Sequence, residues 1–131
     1  MAVQSFRDSI AWQKAMDLST AIYSATRSFP RDEMFGLTSQ LRRASVSIAS
    51  NIAEGQGRLT IGEFMHFLGM ARGSALEVET QVELATRLRM GVESDLKAVQ
   101  SSATELVKIL NSILSTMRER KKRELRGINE N

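Results

Sequence analysis

Few side chains in this 131-residue sequence are of a type and spacing that suit chemistry. The most specific pattern is Glu63-Phe64-Met65-His66. A Glu-x-x-His pair projects two ligands from one helix face, as in di-iron carboxylate bundles. Such a site needs a second motif and two further glutamates, which only another copy of the chain can supply. Glu63 is also accounted for as the third residue after Thr60 in a capping box, so a metal role is the least favoured reading. Because His66 is the only histidine and there is no cysteine, a serine–histidine relay, a thiolate zinc site and a disulfide are excluded within one chain. Glu77, Glu79 and Glu83 read as a solvated or inter-helix face, not as a general acid–base pair. Gly55-Gln56-Gly57-Arg58 lacks the lysine and hydroxyl residue of a phosphate loop and reads as a turn. No catalytic residue, metal or cofactor is expected.

The stronger chemical signal is cationic. Of 18 basic and 15 acidic side chains, six and two lie between Arg118 and Arg126. The run RERKKRELR therefore carries a net +4, and the rest of the chain a net −1. Arg118, Arg120, Lys121, Lys122, Arg123 and Arg126 are candidate contacts to a polyanion such as RNA or DNA. Arg42, Arg43 and Arg58, near the ends of a predicted helix, are secondary candidates with an equal claim to structural ion pairs. A solubilising, fraying helix end over residues 118–131 is the plain alternative for the run.

These residues have to be carried by helices. Apolar residues recur at threes and fours, and no useful stretch alternates as a strand does. Four helices follow: the first from about Asp8, its N-cap, to about Ser28, closed by Phe29-Pro30; the second from between Asp32 and Thr38 to Gly55-Gln56-Gly57; the third opening at Thr60 and ending near Met90-Gly91; the fourth starting at Glu93 to Asp95 and running into the basic tail. In the fourth, Leu96, Val99, Ala103, Leu106, Leu110, Ile113 and Met117 form one seam, opposite Lys97, Ser101, Glu105, Lys108 and Ser112. Short connections favour an all-α, antiparallel up-down-up-down four-helix bundle in a single domain. The opening MAVQSFRDSI has no signal-peptide pattern and no apolar run reaches the roughly 20 residues of a membrane span, so no membrane partner and a cytoplasmic location are expected.

The apolar surface exceeds what one bundle hides. The first helix has one arc of Ala11, Ala15, Leu18, Ile22 and Phe29 and a second of Trp12, Met16 and Tyr23, whose composition is that of interfaces. A merely wide core face is the alternative. In the second helix, Val46, Ala49 and Ala53 widen the stripe of Leu37, Leu41, Ala44, Ile48 and Ile52. Gln40, Arg43, Ser47, Asn51 and Glu54 fill the remaining arc and can satisfy one another or a neighbouring helix. Gly69 and Gly73 each cost a helix about 1 kcal/mol, which points to close backbone approach by a neighbour. A homo-oligomer is expected, with Trp12, Met16, Tyr23, Gly69 and Gly73 at its interface.

Particular stretches resemble a known family: Phe6-Arg7-Asp8 with Trp12-Gln13-Lys14-Ala15, Phe29-Pro30 with Glu33, Phe35 through Ala44, Ser47 through Gly55, Gly57-Arg58, Glu63-Phe64, Phe67-Leu68, Ala71 through Ser74 and Glu77 through Gln81. Over about residues 5–90 the sequence resembles the four-helix-bundle proteins named for 23S rRNA intervening sequences, whose relatives include the accessory variability protein of diversity-generating retroelements. The resemblance implies a four-helix protomer assembling as a ring-like homopentamer. For the retroelement relatives it implies a basic surface engaging nucleic acid and a reverse transcriptase. Beyond Gly91 only the heptad pattern agrees. A nucleic-acid-binding scaffold is the leading expectation, and a protein–protein adaptor without nucleic-acid affinity the alternative.

Overall fold

The computed structural model of the protein describes residues 5–130. Four helices, α1 (Ile10–Thr26), α2 (Leu37–Gln56), α3 (Ile61–Arg87) and α4 (Glu93–Glu130), are accompanied by 3-10 turns at Phe6–Asp8 and Arg31–Glu33, and the described residues form no strand. None of these helices is long and apolar enough to cross a membrane.

The helix ends follow from short polar side chains, though not always those expected. Ser9, not Asp8, caps α1, its hydroxyl accepting from the Trp12 N–H at 3.3 Å. Asp8 is held in the preceding 3-10 turn, where its own N–H bonds to the Ser5 carbonyl at 3.0 Å. The helix closes at Thr26, two residues before Ser28, where the Thr26 hydroxyl donates to the Ile22 carbonyl at 2.7 Å. At α2 the Glu33 carboxylate reaches forward to accept from the Leu37 N–H at 2.9 Å, close to the positive end of the helix dipole. Thr60 accepts from the Glu63 N–H at 3.1 Å and opens α3, as the spacing predicts.

α3 stops at Arg87, short of Met90, through a tight reversal in which the Met90 N–H bonds to the Ala85 carbonyl at 3.0 Å. That reversal holds Arg89 at φ 57° and Gly91 at φ 65°. The carboxyl-terminal basic run does not leave the helix: α4 is helical throughout to Glu130.

Each helix packs against two others, α1 on α2 and α4, and α3 on α2 and α4. Cross-links pair rising with falling numbers. Ser19 meets Ser45 (3.0 Å) and Thr26 meets Arg42 (2.9 Å) between α1 and α2. Ser47 meets Ser74 and Gln40 meets Gln81 between α2 and α3. Arg72 meets Asn111 and the Glu79 carbonyl meets Gln100 between α3 and α4. Lys14 Nζ lies 2.8 Å from Glu105 Oε1, tying α1 to α4 and raising the lysine pKa through that hydrogen bond and the carboxylate charge.

The core alternates alanines such as Ala15, Ala71, Ala75 and Ala103 with Leu18, Ile48, Leu68, Val78, Leu106 and Leu110, all buried. Small side chains at facing positions let larger neighbours interdigitate at close-packed density. The five-residue stripes expected on the first two helices are buried throughout, with Phe29 just past the end of α1. Ala49 belongs to that core and not to the surplus apolar rim, whereas Val46 is exposed. The difference is one of arc: periodicity gives the centre of a buried face, and its width depends on how deeply the neighbouring helices embrace it.

A left-handed conformation costs an L-residue about 1–2 kcal/mol. Arg89→Gly is therefore expected to stabilise the fold by about 1 kcal/mol, and Gly91→Ala to destabilise it by at least as much. An added Cβ at Gly91 would also stand 2.9 Å from the Phe29 ring. Urea melts of the two variants should move in opposite directions.

Candidate nucleic-acid interface

The basic run is positioned by a mismatch of helix lengths. At about 1.5 Å per residue, the 38 residues of α4 span about 57 Å and the 27 of α3 about 40 Å. Near the amino end of α3, Lys121 Nζ lies 3.4 Å from where a Cβ on Gly62 would stand, so α3 has almost no residues left to face α4 beyond that point. Ile128 lies five turns on from the fully buried Leu110 and so keeps the core register, yet it is 71% exposed, and Leu125 is 53% exposed. The last turns of α4 stand clear of the bundle because no other helix is long enough to cover them.

On this projecting end Arg118, Arg120, Lys121, Lys122, Arg123 and Arg126 are all exposed. Glu119 lies 3.5 Å from Lys122, an exposed pair that contributes little and leaves the lysine available. At the root of the projection is an open groove bordered by Arg58, Leu59, Phe64, Met117 and Arg120, so Arg58 and Arg120 share one surface. Leu59, in the loop beside it, is 98% exposed.

The other arginines are differently employed. Arg42 Nε donates to Thr26 Oγ1 at 2.9 Å and its guanidinium lies 4.7 Å from the centre of the Tyr23 ring, binding α2 to α1. Arg58 pairs with Glu54 at 3.0 Å and stacks over Phe67 at 4.6 Å. Arg43 is exposed beside a polar groove between α2 and α3, with Glu77 on the other side. Arg42 and Arg43 lie on α2 far from the projecting end, so the structure joins only Arg58 to the basic run.

Of the expected interface residues, Met16 and Tyr23 are each 42% exposed, in line on one face of α1, while Trp12 is half-buried and meets Phe6 edge-on at 5.2 Å. Gly69 and Gly73 are exposed, and nothing lies within 4 Å of a Cβ placed on either. No close backbone approach to them occurs inside the protomer. Among the helical glycines the close approach falls at Gly55, where an added Cβ would stand 3.1 Å from Phe67 Cβ. Ser47 and Asn51 satisfy each other, and Ser47 also accepts from Ser74, as the polar arc of α2 predicts.

Glu63 and His66 are both exposed, and among the described residues no three His, Cys, Asp or Glu side chains come together as a metal site. Glu83 pairs with Arg87, and Glu77 is solvated. Sequence reasoning missed the Arg72–Asn111 link, whose partners are 39 residues apart and carry no local signal.

The profile of the 23S rRNA-intervening sequence protein family matches residues 7–112. The chain belongs to this family. A solved structure from Bacteroides thetaiotaomicron VPI-5482, described as a protein with unknown function from the S23 ribosomal protein family, is 24% identical to it. That likeness covers 80% of this chain and 98% of that one, with a TM-score of 0.72. It supports the fold. Among curated proteins none matches. The family match ends at residue 112, so the basic projection of this intervening-sequence protein lies outside the stretch that defines the family.

The unequal duties of adjacent arginines are measurable. Arg42→Ala should cost about 1–2 kcal/mol by removing a charged hydrogen bond and a ring contact. Arg43→Ala should stay within about 0.5 kcal/mol of the parent in the same thermal melts.

Proposed function

We propose that this intervening-sequence protein is a non-enzymatic scaffold of antiparallel four-helix protomers that self-associates, with the family's pentameric ring as its form, and binds RNA or DNA through the projecting basic end of α4. One observation carries the reading: six exposed cations along the end of α4, with Lys122, Arg123 and Arg126 beyond the amino end of α3. A helix clear of its own fold can approach a phosphate backbone without the bundle colliding with it. Arg58, beside Arg120, and Arg43 are secondary contacts. Self-association is supported by the apolar side chains Met16, Tyr23 and Val46 left exposed on the α1–α2 side. A reverse-transcriptase gene beside this one would assign the scaffold to retroelement work, and an rRNA operon around it to the intervening-sequence role.

A second reading, an adaptor that binds only protein, draws on the opposite end of the bundle. There Phe35 is 97% exposed, Met34 is exposed beside it, and Leu88 and Val92 are exposed between α3 and α4. Under that reading the chain has negligible nucleic-acid affinity at physiological salt.

The deciding experiment is a fluorescence anisotropy titration with a labelled structured RNA. Engagement of about four phosphates predicts an affinity that falls about a hundredfold between about 50 and about 200 mM salt. Removing residues 118–131 should abolish it. Binding that persists without those residues contradicts the assignment to the helix end.

A further inference from the structure

The solvent face of α4 continues the cationic line well inside the bundle. At about 100° per residue, Arg118, Lys122 and Arg126 step by about 40° each from the flank of the buried face to the side opposite it. Lys108 lies five whole turns before Arg126, hence on the same line, about 27 Å away. Lys108 is exposed, and the nearest carboxylate in sequence, Glu105, is already bound to Lys14 at 2.8 Å. Residues 109–117 carry no charge, and their exposed positions are Asn111, Ser112, Ser115 and Thr116, all hydrogen-bonding side chains. From the adjoining helix, Arg72 donates through Nε to Asn111 Oδ1, which draws the guanidinium toward this face, and among the described residues it forms no salt bridge. At the far end the line stops: Lys97 stands with Glu93 and Asp95, a locally negative patch.

We propose that the phosphate-binding track does not end at Arg118 but runs back along the solvent face of α4 to Lys108, flanked by Arg72 held through Asn111, so that a nucleic-acid backbone lies along the bundle and not only on its tip. The proposal rests on the nucleic-acid reading above. The chemistry recognised is the phosphodiester backbone, engaged by lysine ammonium and arginine guanidinium groups with hydroxyl side chains between them.

The test uses the full chain and two labelled hairpins of one sequence, one RNA and one DNA, each long enough to span about 27 Å. Each lost phosphate contact lowers the slope of log affinity against log salt by about 1. Lys108→Gln with Arg72→Gln should lower it by about 2 on both hairpins, and Lys97→Gln should leave it unchanged. If the double variant melts early, Lys108→Gln alone, at an exposed site, should lower the slope by about 1. An unchanged slope in a folded variant, while removal of residues 118–131 abolishes binding, overturns the extended track and leaves the helix-end reading intact. A loss confined to one hairpin overturns the backbone chemistry. Failure of the parent chain to bind either hairpin overturns both readings.

Discussion

One core must serve four helices of unequal length, and most features of this molecule follow from that constraint. The apolar seam of α4, from Leu96 to Met117, sets the height of the bundle, because every other helix packs along it or on a helix that does. Alanines at the facing positions bring the helices close, and the buried serine pair Ser19–Ser45 closes the α1–α2 seam with the hydroxyls satisfied. Burying them unpaired would cost about 1–3 kcal/mol each. What the core cannot reach is left outside. The end of α4 projects, Met16, Tyr23 and Val46 face outward, and Gly69 and Gly73 lie on an open helix face.

These leftovers differ in chemistry and are separated in space. The projecting end is cationic, the α1–α2 side is apolar and aromatic, and the opposite end exposes Phe35 among short loops. A charged end remains soluble without a partner and gains one only through a polyanion. An apolar side, by contrast, gains free energy from any close-fitting partner, at roughly 25 cal/mol per Å² buried. The proposed self-association and the proposed phosphate binding therefore draw on different surfaces. The family match ends at residue 112, within α4 and before the basic run, so the exposed apolar side of α1 and α2 lies inside the matched stretch and the cationic end outside it.

Much of this was legible in the sequence because it is local. The seam of α4, the stripe of α2, the Thr60 cap and the charge of residues 118–126 all depend on residues within a few turns of one another. What was not legible depends on distant partners. Arg42 reads equally as a phosphate contact or a structural partner until Thr26 and Tyr23 are brought against it from α1. Ala49 reads as surplus until the depth of the α1–α2 contact is known. Asp8 and Ser9 are both competent caps, and the 3-10 turn at Phe6–Asp8 decides between them. The tail reads equally as a polyanion contact or a fraying helix end, because no local signal shows that α4 continues through it with Leu125 and Ile128 in register with the core face.

If self-association is what hides Met16, Tyr23 and Val46 from water, a lone protomer is not the stable species in solution. Sedimentation equilibrium of the parent chain at micromolar concentration tests this most directly. A whole-number multiple of the 14.6 kDa chain mass, unchanged on modest dilution, is the predicted result. A species of 14.6 kDa across the whole range would contradict it.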